Sequence, residues 1–265
     1  MRLNFDKYEG LGNDFIVVEA APSQLHPHAQ ALCDRHFGVG ADGVLAVHAP
    51  HSAGARATMT VLNADGSKPE MCGNGLRCVA LHLARRDDAP AINYLVDTDA
   101  GAFACAVERD GERGAHVRTA LGKGSRREDH EAVLDGERMR FQCVSMGNPH
   151  AIVFDRAASI EQIDRWGPQV SAAFAQGSNV EFAWQRGSGR FDLIVWERGV
   201  GRTLACGTGA AATAVAAVLS GKAEYDTPLG IHLPGGRLEL TVNRALDVQQ
   251  RGPARHVYSG IIEVP

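Results

Sequence analysis

Lysine is nearly missing from this sequence, standing only at Lys7, Lys68, Lys123 and Lys222. None of the four sits in a setting that announces a Schiff base, so a pyridoxal electron sink has no anchor. Arginine carries the positive charge instead, a bias that a GC-rich genome explains. Long apolar runs are also missing, which excludes a membrane-spanning helix. The opening Met1-Arg-Leu-Asn-Phe-Asp-Lys is charged and strand-like, which argues against a signal peptide and for a cytoplasmic protein. A net charge of only −4 leaves no nucleic-acid footprint. Cysteines fall at 33, 72, 78, 105, 143 and 206, with no Cys-x-x-Cys pair. Cys72 and Cys78 are not spaced as metal ligands and Cys206 has no local partner, so no metal is expected. The chain is long enough to build a core without disulfides, and a reducing cytosol would keep them open. The glycine-rich loop at 38–43 lacks the lysine of a phosphate-binding loop and does not complete a dinucleotide pattern.

What is present is a doubled pattern. The 265 residues, 45% hydrophobic and 22% charged, suit one large globular domain or two of ordinary size. A polar loop with Glu197, Arg198 and Arg202 leads to Cys206, which is flanked by Gly207 and Gly209. Next comes Ala-Ala-Ala-Thr-Ala-Val-Ala-Ala-Val-Leu, closed by Ser220-Gly221. Small or apolar residues on every face predict a helix inside a domain. Residues 63–86 repeat the layout: a polar loop, Cys72-Gly-Asn-Gly, then Leu76, Val79, Ala80 and Leu83 on one helix face. Each cysteine is thus predicted where unpaired N–H groups and the positive dipole end of a helix meet. A thiol there can have its pKa drawn from ~8.5 down to ~3.5–7.5.

Short strands fill the rest. Residues 3–8 and 15–19 predict a hairpin, with Asn13 at its tip as a turn former or an amide aimed into a site. Residues 23–35 predict a helix that buries Cys33. Residues 160–174 predict another, interrupted at Gly167-Pro168. Further strands are expected near 44–47, 56–62, 92–96, 102–108, 116–119, 138–144, 151–154, 180–184, 191–197, 231–233, 237–242 and 256–264. The polar run 122–131 reads as a domain junction. The fold class is α+β: two similar domains, each a curved sheet wrapped on one buried helix.

Four chemistries compete for Cys72 and Cys206. They are inert core residues, metal ligands, a single nucleophile served by a base such as His150, or a pair of acid/base groups. The flanking glycines speak against the first, because core positions need no close backbone approach. The spacing speaks against the second. The doubling favours the fourth. A nucleophile needs one thiol; inverting a stereocentre without a cofactor needs one group to take a proton and another to give one to the opposite face. Two copies of one half would hold the thiols on opposite sides of an active-site cleft between them, each helix N-terminus facing the substrate carboxylate.

Seven segments then carry a resemblance: Gly10-Leu-Gly-Asn-Asp-Phe, Asn63-Ala-Asp-Gly-Ser, Cys72-Gly-Asn-Gly-Leu-Arg-Cys, Ser145-Met-Gly-Asn-Pro-His, Ser178-Asn-Val-Glu-Phe, Glu197-Arg-Gly and Ala205-Cys-Gly-Thr-Gly-Ala. In this order, over essentially the whole chain, they resemble the diaminopimelate epimerase family. The resemblance implies cofactor-independent interconversion of LL- and meso-2,6-diaminopimelate, on the route to lysine and peptidoglycan. It implies Cys72 and Cys206 as the catalytic bases, with His150 and Glu197 setting their protonation. It implies substrate contacts from Asn13, Asn63, Gly73, Asn74, Asn148, Asn179, Glu197, Arg198, Gly207 and Thr208. It implies barrel-like sheets, domains over 1–120 with a returning tail at 256–265 and over 121–255, and a homodimer that takes a small amino-acid substrate. Gly43 stands where some members carry glutamine, so no contact is carried over there. Ser178 stands where threonine is common. Residues 120–135 match poorly and read as a surface linker. Racemases of proline, hydroxyproline or histidine share the architecture; a thiol hydrolase or a redox-sensing dithiol protein is the alternative from another class.

Overall fold

The computed structural model describes residues 1–69, 71–154 and 158–264. Glu70, two residues before Cys72, and Pro265, the end of the expected tail, lie outside the described residues. The chain forms two compact units, residues 1–119 with 251–265, and residues 120–250.

The first unit opens with β1 (Arg2–Gly10) and β2 (Asn13–Val18), an antiparallel hairpin. Leu11 and Gly12 join them at φ 59° and 79°, the doubly positive turn whose twist suits paired strands. The helix expected over 23–35 is broken. It consists of α1 (Pro22–Leu25), a tight turn over His26–His28 and α2 (Ala29–Cys33), because Pro27 has no N–H to continue the ladder. Next comes β3 (Gly43–His48), parallel to β2 and antiparallel to β4 (Ala57–Asn63). Then α3 (Gly73–Arg86) leads to β5 (Ala91–Thr98), parallel to β4, and antiparallel β6 (Gly101–Asp110) and β7 (Gly114–Lys123). The two-residue period of a strand sorts the core. Phe15, Val17, Leu45, Val47, Met59 and Val61 pack on the α3 side. Ile16, Val18, Val44, Ala46 and Leu62 pack with Leu25, Leu32 and Cys33 of α1 and α2. The sheet curves round α3, which touches β1 to β6 and is buried from Asn74 to Ala84.

The second unit holds β8 (Ser125–Arg126), β9 (His130–Leu134), β10 (Glu137–Ser145) and β11 (Pro149–Phe154). After these come α4 (Ile160–Ala172), β12 (Asn179–Gly187), β13 (Arg190–Glu197) and β14 (Gly201–Arg202). Last are α5 (Gly207–Leu219), β15 (Leu229–Leu233) and β16 (Gly236–Val242). Its hairpins β10–β11, β12–β13 and β15–β16 alternate with two helical crossovers, through α4 and α5, into parallel pairs. The first unit runs in the same order: β1–β2, α1 and α2, β3–β4, α3, β5–β6. The fold is α+β, and the halves repeat. Residues of α5 from Gly209 to Val218 are buried, as their uniform apolarity predicts. The final strand, β17 (Asp247–Glu263), pairs antiparallel with β1 from Glu9↔Arg255 to Arg2↔Glu263.

Two further expectations are corrected. Residues 120–135, expected as a surface linker, are mostly exposed but belong to strands: they finish β7, form β8, and place β9 antiparallel to β10 with Leu134 buried. The interruption at Gly167-Pro168 is absent, and α4 runs through it. A Cβ on Gly167 would lie 2.3 Å from the Trp196 ring, so this glycine serves close packing. Pro168 falls on the exposed face, where water can take the carbonyl its missing N–H leaves open. Among the described residues no helix is long and apolar enough to cross a membrane.

Candidate functional site

Both cysteines are helix N-caps. Cys72 has φ −136° and ψ 112°, and its Sγ accepts from the Gly75 N–H at 3.4 Å. Cys206 has φ −126° and ψ 110°, and its Sγ accepts from the Gly209 N–H at 3.4 Å. The extended backbone turns the side chain over the first helical turn, so sulfur takes the place usually held by a serine or aspartate oxygen. A Cβ on Gly75 or Gly209 would press within 3.3–3.5 Å of the capping cysteine's own side chain.

In the first unit, Asn74 is buried beside Cys72, and its Oδ1 accepts from Arg77 Nη2 at 2.7 Å. Arg77 is fully buried and also donates to the carbonyls of Gly73 and Pro253. The Asn63 amide donates to Ser67 Oγ at 2.9 Å. Asn13 heads β2, and its buried Oδ1 has no hydrogen-bond partner among the described residues. Such an orphan acceptor at the hairpin tip favours a ligand-facing amide over a plain turn former.

In the second unit, strand alternation sends Val180 and Phe182 to the α4 side and Glu181 to the α5 side. Glu181 Oε1 lies 2.7 Å from His150 Nδ1, with both side chains fully buried. His150 Nε2 lies 3.0 Å from Asn148 Oδ1. Asn148 Nδ2 donates to Thr208 Oγ1 at 3.4 Å, and that oxygen lies 3.6 Å from Cys206 Sγ. Glu197 accepts from the Thr203 hydroxyl. Asn179 ties loops together, donating to the Pro149 carbonyl at 3.1 Å and accepting from the Arg198 N–H at 3.0 Å. The Arg198 guanidinium donates to the Gln176 carbonyl. The Gly207 carbonyl accepts from Gln250.

The electrostatics reverse one expectation. Burial pushes the Cys206 thiol well above its ordinary range, and the Glu197 and Glu181 carboxylates add to it. The cap N–H and Thr208 pull the other way and lose. Burial also raises Glu197, against hydrogen bonding from Thr203 and Cys206, and raises Glu181, against His150. Those carboxylates arrive on β12 and β13, outside the cap and its helix.

Glu181, Gln250 and Arg77 were not singled out from sequence. Glu181 left a signal: a carboxylate between Val180 and Phe182 on a strand must face something other than their core. Among the described residues no group of three His, Cys, Asp or Glu side chains is placed to hold a metal.

Two repeated units, each a sheet around one buried helix, define a class of α+β fold that solved structures share. A hydroxyproline epimerase from Agrobacterium vitis superposes with TM-score 0.75 at 14% identity, covering 99% of this chain and 91% of that one. A phenazine biosynthesis protein of the PhzF family from Bacillus anthracis gives 0.77 at 13%, covering all of both. At such identities the likeness is one of fold. The chain belongs to the diaminopimelate epimerase family, which matches residues 5–126 and 142–257. The diaminopimelate epimerase of a Synechocystis species is 40% identical over the whole of both chains. That of Desulfitobacterium hafniense is 37% identical, covering 97% of this chain and 96% of its own. Membership makes the chain an isomerase by class.

Proposed function

We propose that this chain interconverts LL- and meso-2,6-diaminopimelate without a cofactor, supplying lysine and peptidoglycan synthesis. The observation that carries the reading is the duplicated cap: Cys72 on α3 and Cys206 on α5, each with its Sγ 3.4 Å from the N–H three residues on. In this reading one thiolate removes the α-proton and the other thiol delivers a proton to the opposite face. Burial and its carboxylate neighbours favour the thiol form of Cys206. Glu197 and His150 set the protonation of Cys206. The first N–H groups of α3 and α5, at Gly73 and Asn74 and at Gly207 and Thr208, stabilise the charge that builds up on the substrate. Asn13, Asn63, Asn148, Asn179, Glu197 and Arg198 complete the substrate contacts. They exceed what one amino-acid head requires, which suits a substrate with two. Domains at 1–120 with 256–265 and at 121–255, and a cytoplasmic homodimer, belong to the same reading.

The test starts from LL-diaminopimelate in D₂O and follows α-proton exchange and epimer ratio by NMR. Wild type is expected to place deuterium mainly in the product epimer. Cys72→Ala and Cys206→Ala are each expected to lose on the order of 10²–10⁴-fold in epimerisation, the usual contribution of a positioned acid or base. Near wild-type epimerisation by Cys206→Ala, with Cys72→Ala inactive, would overturn the reading.

A further inference from the structure

We propose that Glu181 is a positioning residue for this reaction: it shares one proton with the His150 ring, and the pair aims the Asn148 amide at the start of α5. The proposal rests on the reading of Cys206 as an acid/base group and extends it to a side chain that touches no substrate. Glu181 is entirely enclosed, with Oε1 2.7 Å from His150 Nδ1 and with Oε2 lacking a hydrogen-bond partner among the described residues. A carboxylate this deep does not persist as a lone anion; it takes a proton or faces a cation. Either way the outcome at the far side of the ring is the same. If Glu181 is ionised, His150 is an imidazolium and carries hydrogen on both nitrogens. If Glu181 is protonated, it donates to Nδ1, and the ring hydrogen stays on Nε2.

Nε2–H meets Asn148 Oδ1 at 3.0 Å. An amide oxygen only accepts, and an amide NH₂ turned to Nε2–H would set donor against donor. The Asn148 amide is therefore locked with its Nδ2 toward Thr208 Oγ1, 3.4 Å away, next to the Cys206 thiol. Space at the helix start fits the same arrangement: a Cβ on Gly209 would stand 2.8 Å from Glu181 Oε1. His150 thus acts through Asn148, since Glu181 and Asn148 occupy both of its ring nitrogens.

The substitution Glu181→Gln keeps the size but lets either end of an amide meet Nδ1, so the ring tautomer is no longer fixed. Two-bond ¹H–¹⁵N spectra of protein labelled at histidine are expected to show Nε2 protonated in wild type and mixed tautomers in Glu181→Gln. The kcat/KM for epimerisation is expected to fall tenfold or more in Glu181→Gln and in Asn148→Ala. The double variant is expected to be no worse than Asn148→Ala alone, because the two changes break one relay. A wild-type ring with bare Nε2 overturns the proposal, and that measurement survives any folding failure of the variants. Multiplying losses in the double variant overturn it too, because Glu181 then acts elsewhere. A wild type inactive on diaminopimelate would fail the functional reading alone, since the ring spectrum still decides the relay.

Discussion

Asp14 links acidity to the folding of the first unit. Burial raises its carboxyl group, but hydrogen bonds from Arg35 and Lys7 outweigh that and hold it far below the usual carboxylate range. Lys7 lies 2.6 Å away, nearly buried, and Arg35 2.8 Å away. A depressed folded pKa means the stabilisation is fully present above the unfolded value, ~3.9, and is lost as pH falls through that value toward the folded one. Asp42 beside it is raised by burial and by Asp14, so its own contribution has the opposite sign and trims the loss. Urea unfolding should therefore show wild type weakening between pH 5 and pH 3. Asp14→Asn should be weaker at pH 7, with Lys7 left buried and uncompensated, and flatter toward acid. Equal slopes for the two proteins would show that Asp14 does not carry the effect. At this scale the sequence announces residues with a backbone signature. Cys72 and Cys206 were legible because glycines surround them and helical patterns follow. Glu181 was not, because its meaning depends on a histidine 31 positions away in the chain, brought near by the parallel register of β11 and β12.

The helices show the same division between local and distant causes. Both buried helices were legible, since a helix apolar on every side is stable only when enclosed. The break at Pro27 and the continuity at Pro168 were not, because both prolines are exposed and the packing beside Pro168, Gly167 against Trp196, joins residues far apart in the chain. The two caps also differ in what lies beneath them. A Cβ on Gly75 would meet the Leu45 methyls at 3.0 and 3.3 Å, the flexible end of a side chain. A Cβ on Gly209 would meet Glu181 Oε1 at 2.8 Å, an oxygen fixed by His150. Gly209→Ala should accordingly destabilise by about 1–3 kcal/mol, as overpacking does, while Gly75→Ala costs less. Thermal unfolding of the two variants measures the difference, and equal losses would refute the argument from rigidity.

Across the molecule, the chain is not divided simply in two. Residues 251–265 belong with residues 1–119, while residues 120–250 form one uninterrupted stretch. Among the described residues, the N-terminal part of β1, from Arg2 to Phe5, pairs with β17 alone, since β2 begins its pairing at Asp6. Leu3 and Phe5 are buried there, and Phe5 lies against Gly260. Removing residues 257–265 should strip hydrogen-exchange protection from β1 and from α1 and α2, and leave β10 to β16 protected. Uniform loss of protection would contradict this. The same arrangement has a consequence for a chain made one residue at a time. When residue 250 leaves the ribosome, every strand of the second unit is available to its partners. Strand β1, made long before, still lacks β17. Until β17 emerges, Leu3 and Phe5 sit on an open edge that any passing strand can join, so the growing protein needs protection for β1 long after β1 itself has been made.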